Sequence, residues 1–145
     1  MDAIRALMER DEYAKHSGMK LLEVGPGAAR VTMTIGKEHL NGLGGVHGGA
    51  IFTLADFAFA AAANAHGTIA VAINVSISYL RPVTGNVLHA QAAEVSRSRS
   101  LASYTVRVTD EKEHLVALFQ GMVFRKADPI PTAASAGEPA SGGAA

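Results

Sequence analysis

The chain has no cysteine, which excludes disulfides and thiol catalysis. It has no net charge, since 13 lysines and arginines balance 13 aspartates and glutamates. Binding to a phosphate backbone wants a basic excess, so nucleic acid is disfavoured as a partner. Long hydrophobic runs are also missing. Nothing approaches the ~20 apolar residues that span a bilayer, because the most apolar segment is Ala-rich and broken by Asp56 and Asn64. No membrane association is expected. The N-terminus, MDAIRALMERDEYAKH, is charged and lacks a continuous apolar run. It does not read as a signal peptide, and a cytoplasmic location is expected. No P-loop and no G-x-G-x-x-G fingerprint occurs, and none of the six histidines stands in an H-x-x-x-H pair. Neither a nucleotide cofactor nor a metal is expected.

What is present is one domain's worth of chain, 145 residues with 48% hydrophobic content, enough to bury a real core. Its organising stretch is His47 to Gly67, HGGAIFTLADFAFAAAANAHG. This reads as a helix from about Gly48 to His66 with Gly67 as C-cap. It is apolar or small almost all round, which predicts burial instead of a surface position. Asp56 is its one carboxylate, and a lone acid in such a helix is costly unless it is hydrogen-bonded, wet or functional.

Residues 2 to about 16 pattern as one amphipathic helix, stopped by Gly18. Two strands, Leu21 to Val24 and Ala28 to Ile35, flank the turn Gly25-Pro26-Gly27. A glycine-dense loop, residues 36 to 46, leads into the central helix. Four strands follow it: Ile69 to Leu80, Val87 to Ser96, Ser100 to Thr109 and Leu115 to Arg125. The domain is expected to span residues 1–126. Residues 127–145, rich in Ala, Gly, Pro and Ser, read as a disordered tail. The order predicts an α+β fold with hairpin-connected antiparallel strands. A curved sheet can cover one side of the long helix, and a second subunit is the natural cover for the rest.

The chemistry follows from the helix's two ends of interest. The first turn of a helix has free N–H groups and the positive end of the dipole. With Gly48-Gly49 there, a carbonyl oxygen can approach the backbone as in an oxyanion hole; a tight turn is the plainer reading of a glycine pair. Asp56 lies eight residues after Gly48, about 12 Å along the axis at ~1.5 Å per residue. One helix does not readily place both around a single carbonyl, whereas two antiparallel copies across a two-fold axis do. If both act, the spacing favours a dimer with shared sites. Asn41 either orients a carbonyl or water, or simply forms an Asn-Gly turn. His47 either hydrogen-bonds the oxygen or orders the loop. Arg81, Arg97, Arg99, Arg125 and Lys126 fall near strand ends, where they form either a rim for phosphates or solvated edges.

These residues carry a family resemblance. Leu40-Asn41-Gly42, His47-Gly48-Gly49, Phe52-x-Leu54-Ala55-Asp56-x-Ala58-Phe59-Ala60, Asn64 before Gly67, and Tyr79-Leu80-Arg81-Pro82 together resemble the hotdog-fold thioesterases, and among them the phenylacetyl-CoA thioesterase (PaaI-like) group. The resemblance covers most of residues 10 to 126 and implies a sheet wrapped around a long central helix. It also implies dimers whose sheets join and whose helices lie antiparallel, usually paired into tetramers. The implied activity is hydrolysis of acyl-CoA, aromatic acyl groups such as phenylacetyl included, with no cofactor. By position, Asp56 is then the general base or nucleophile, and Gly48 gives its N–H to the thioester oxygen from the other subunit. Asn41 positions the carbonyl or water and His47 supports it, while the CoA phosphates lie near the basic side chains. Leu43 to Val46 is more glycine-rich and apolar than the group leads one to expect. Two other readings stay open: a non-catalytic acyl-CoA-binding module, and a hotdog enoyl-thioester hydratase or dehydratase in which His47 pairs with Asp56.

Overall fold

The computed structural model describes residues 1–132. Two short helices, α1 (Asp2–Met8) and α2 (Glu12–His16), open the chain. The sequence pattern predicts one helix here. Asp11 breaks it, because its carboxylate accepts from the Ala14 N–H at 3.0 Å and caps a new helix, the preferred use of Asp at a helix start. Strands β1 (Met19–Gly25) and β2 (Ala28–Thr34) form a hairpin. A 3-10 turn, Lys37–His39, and a loop closed by a bridge between Leu40 and Val46 lead into α3 (Gly48–Asn64). Strands β3 (Thr68–Tyr79), β4 (Val87–Arg97), β5 (Leu101–Asp110) and β6 (Leu115–Pro129) complete the fold.

The six strands form one antiparallel sheet in the order β1-β2-β4-β5-β6-β3. It is the curved α+β sheet around a central helix that the sequence implies. The inward positions of β2, β4, β5 and β6 alternate with outward ones, the period-2 pattern that puts one set of side chains on α3. Phe59 is fully buried, 5.5 Å from Phe119 and 5.6 Å from Tyr104 between ring centres.

α3 is buried on every side but one. Gly49, Thr53, Asp56, Ala60 and Asn64 remain accessible, and their spacing of three or four residues puts them on one stripe. Asn64 is tied down within it: its Nδ2 donates to Ala60 O at 2.9 Å and its Oδ1 accepts from Ala70 N–H at 2.9 Å, joining α3 to β3.

The last strand runs past the domain boundary the sequence suggests. β6 continues to Pro129, which pairs with Thr68 across a register shift, a place where a strand tolerates proline. Ile130 is buried and its N–H donates to Gly67 O at 3.0 Å. Residues 127–130 are therefore part of the domain, and the rest of the expected tail from residue 133 lies outside the described residues.

Candidate active site

α3 begins at His47, its N-cap. The His47 Nδ1 accepts from the Gly49 N–H at 2.8 Å, and its carbonyl accepts from the Ala50 and Ile51 N–H groups. An Nδ1 that accepts carries no proton, so the neutral ring has its hydrogen on Nε2. The first turn thus spends three of its four orphan donors. Gly48 keeps the fourth: its N–H has no partner among the described residues.

The loop before this turn is fixed by a residue without a sequence signal, His39. It is 4% exposed. Its Nδ1 accepts from Gly36 N–H at 2.9 Å, its Nε2 reaches Ser17 O at 2.8 Å, and its carbonyl accepts from His47 N–H at 2.7 Å. Asn41 does what the plainer reading expected of it. Its Oδ1 accepts from Leu43 and Gly45 N–H groups at 2.9 and 3.2 Å, which holds the glycine loop in shape.

Gly48 opens into a cleft of about 560 Å³ lined by Asn41, Val46, Ile51, Tyr79, Arg81 and Pro82 among others. Its far wall, the segment after β3, is held by Asp110. This carboxylate is 2% exposed and accepts from Thr84 N–H at 3.0 Å and from Lys112 and His114 N–H groups at 3.0 Å each. Burial pushes the Asp110 pKa up, but the three backbone donors and His114 outweigh it and hold the carboxyl below its ordinary range. Asp110→Ala strands those donors and is expected to cost about 1–3 kcal/mol in urea unfolding, the scale for unsatisfied buried groups. It is also expected to raise KM by freeing the Arg81–Val83 wall. The linkage sign is that of a depressed acid. The stabilisation is present above the unfolded pKa and disappears as pH falls through the folded one.

Asp56 stands apart from this cleft on the accessible stripe of α3. Its carboxylate has no hydrogen bond or ion pair among the described residues, and desolvation, then the nearby Asp11 charge, push its pKa up. Such a perturbed, unpaired acid is a functional-site candidate. Within one protomer it is two turns from the Gly48 N–H. Within one protomer no hydrogen bond or ion pair joins His47 to Asp56 among the described residues, and the His47 Nδ1 is taken by the Gly49 N–H.

The basic residues divide. Arg81 lines the cleft beside Gly48. Arg97, Arg99, Arg125 and Lys126 gather at the opposite end of the sheet, where Arg125 pairs with Ala70 while Tyr79 pairs with Ala117. Nine residues of strand separate those points, about 30 Å at ~3.3 Å per residue. Arg97 is held 2.7 Å from His66 and 3.7 Å from Glu94, and Arg125 donates to Ser98 O at 2.6 Å. A single rim within one protomer is therefore not what the structure shows.

The comparisons with known proteins agree with the fold. The family model for the thioesterase superfamily matches residues 43–117, from the glycine loop through most of the sheet. The acyl-coenzyme A thioesterase PaaI of Escherichia coli is 38% identical over 121 residues, 83% of this chain and 86% of that protein. The structure of the E. coli PaaI protein from the phenylacetic acid degradation operon superposes with a TM-score of 0.85 at 35% identity, covering 90% of this chain and 95% of that one. A putative esterase of Archaeoglobus fulgidus is 43% identical over 126 residues, 86% of this chain and 82% of its own. The chain belongs to the thioesterase superfamily and is a thioester hydrolase. Within that family it is a PaaI-like member with the hotdog fold.

Proposed function

We propose that the protein hydrolyses acyl-CoA thioesters to a free acid and CoA, with aromatic acyl groups such as phenylacetyl preferred, at sites shared between two copies of the chain. The observation that carries this is the pair of unspent groups on α3. The Gly48 N–H lies free in a cleft with Arg81, the Asp56 carboxylate lies free on the accessible stripe, and the helix holds them about 12 Å apart. An antiparallel second α3 brings the Gly48 of one copy to the Asp56 of the other. β3 supports such pairing. It is an edge strand of 12 residues with Ile73 and Tyr79 more than half exposed, a ready template for strand addition. Phe57, beside Asp56, lines a separate hollow with Met8, Met19 and Leu21, bordered also by Arg5, Glu9, Lys15 and Lys20.

Charge develops on the thioester oxygen as the carbonyl is attacked, and one N–H donor there contributes roughly 3–4 kcal/mol. Asp56 either takes the proton of an attacking water or attacks the carbonyl itself. In the first route the tetrahedral intermediate breaks its C–S bond, and the thiolate leaves and is protonated. In the second a mixed anhydride forms with loss of the thiolate, and water then hydrolyses it. Arg81 supplies positive charge for a CoA phosphate at the mouth of the cleft.

The test is thiol release across an acyl-CoA panel, with phenylacetyl-CoA expected among the best substrates. Sharing of the site is tested by complementation. Gly48→Pro removes the one N–H in question at a helix position whose backbone suits proline, with the Tyr79 ring, 3.1 Å from where the new Cβ would fall, giving way by a few tenths of an ångström. Gly48→Pro and Asp56→Ala are each expected to be nearly inactive and to regain turnover when unfolded and refolded together. No recovery on mixing, with hybrid dimers shown to be present, would rule out the shared site.

A further inference from the structure

The Gly48–Gly49 peptide is held at both of its polar atoms by side chains. Its N–H, on Gly49, donates to His47 Nδ1 at 2.8 Å. Its carbonyl, on Gly48, accepts from the Tyr79 hydroxyl at 2.9 Å. Upstream, the His47 N–H is fixed to His39 O at 2.7 Å. Of the N–H groups from His47 to Ile51, that of Gly48 alone has no partner among the described residues. A Gly-Gly pair is the least restricted dipeptide and has no side chain to hold it, so the two side-chain bonds add to what the helix itself supplies at its loosest end.

Tyr79 is the residue that does this from across the fold. It is the last residue of β3, 31 positions after Gly48 in the chain. It is 52% exposed, so burial does not account for its position. Its ring lies so close to Gly48 that a Cβ there would fall 3.1 Å from Cζ and 3.2 Å from the hydroxyl oxygen. The contact thus also explains why glycine stands at this helix start.

We infer that Tyr79 is a positioning residue for the oxyanion donor: with His47 it braces the first turn of α3, and so the His47–Gly48 peptide that carries the Gly48 N–H, whose carbonyl is held by the Ala50 and Ile51 N–H groups. This rests on the reading that the Gly48 N–H receives the thioester oxygen. A donor already aimed at the developing charge needs no reorganisation during the reaction, which is the source of its catalytic effect. The clamp acts on kcat and leaves substrate binding nearly unchanged.

Steady-state kinetics of Tyr79→Phe on the best acyl-CoA substrate test it, alongside amide hydrogen exchange at the two glycines. Removing the hydroxyl is expected to lower kcat about tenfold, a fraction of the loss for deleting an oxyanion donor, with KM within about twofold. Exchange at Gly49 is expected to speed up. His47→Ala is expected to lower kcat similarly, and His47→Asn to recover most of that loss, because an Asn side chain at the N-cap accepts the same N–H. Parental kcat and parental glycine exchange in Tyr79→Phe, with Asp56→Ala inactive, would overturn the clamp alone. A rise in KM at unchanged kcat would also overturn it, making Tyr79 a substrate contact. Full turnover in Asp56→Ala or Gly48→Pro would overturn both the clamp and the site it serves.

Discussion

Asp56→Asn is expected to lower kcat by about 10²–10⁴-fold, the range for loss of a positioned general base, and Asp56→Ala to lower it at least as far. KM is expected to change little, since in the proposed mechanism the carboxylate acts at the reacting carbonyl and not on the CoA. Both variants are also expected to be more stable than the parent at neutral pH. The Asp56 pKa is raised from its ordinary 3.8 by desolvation and then by Asp11, so the ionised form is the disfavoured one in the folded chain. Between 3.8 and the raised value the native state binds more protons than the unfolded state. Stability therefore falls as pH rises through that window, and the penalty is complete above it. The gap in Tm between parent and Asp56→Asn is expected to be small in acid and to open as pH rises. The same shift moves the acid limb of kcat/KM above the usual aspartate range. Near-parental turnover in Asp56→Ala sinks the assignment, and a variant less stable than the parent at neutral pH sinks the desolvation account. A stability gain bought with activity is the ordinary trade-off at a strained functional group.

The sheet was legible because apolar and polar residues alternate along its strands. Val71, Ile73, Val75, Ile77 and Tyr79 mark β3, which occupies Thr68–Tyr79 although Ile73 and Tyr79 are more than half exposed at this sheet edge. α3 was legible for the opposite reason, its lack of a charged face, and it occupies Gly48–Asn64. Local chemistry hid the rest. The first helix reads as continuous because Asp11 suits a helix surface as well as a cap, and only the backbone geometry decides. Residues 127–130 read as tail because Asp-Pro-Ile-Pro has loop composition, yet Ile130 finds a buried place against Gly67. At the site, the free Gly48 N–H and the lone Asp56 were visible as motif and spacing. The contacts of Tyr79, which the sequence shows only as part of Tyr79-Leu80-Arg81-Pro82, and of His39 were not, because a hydroxyl meeting a carbonyl 31 residues away, or a histidine closing a loop, is a tertiary fact. The basic residues show the same limit. Near strand ends in the sequence says nothing about which end of the sheet, and the fold sends Arg81 one way and Arg97, Arg99, Arg125 and Lys126 the other. In an antiparallel pair of chains, the far end of one sheet meets the near end of its partner. That is the arrangement in which the basic residues of both groups could border one cleft.

Phe59→Ala is expected to be the most damaging of the core changes, at about 3–5 kcal/mol, a large share of the total stability of a domain this size. Phe59 is 1% exposed and sits edge-on to Tyr104 and tilted against Phe119. It anchors α3 to β5 and β6 about one turn along from Asp56. Opposite it β6 carries Gly121, where a Cβ would fall 2.6 Å from the Phe59 Cζ. The strand thus gives up a side chain to make room for the ring, and β-propensity alone disfavours glycine there. Gly121→Ala by itself is expected to cost about 1–3 kcal/mol through overpacking. In Phe59→Ala the same methyl has nothing to strike and fills part of the cavity. The double variant is therefore expected to be more stable than the sum of the two costs allows, with a coupling of about 0.5–3 kcal/mol. Urea unfolding of the four proteins at constant m-value measures it. Additive costs would show that Gly121 is not glycine on account of Phe59. Favourable coupling would show that the seat of α3 on β5 and β6 depends on this one ring and the gap opposite it.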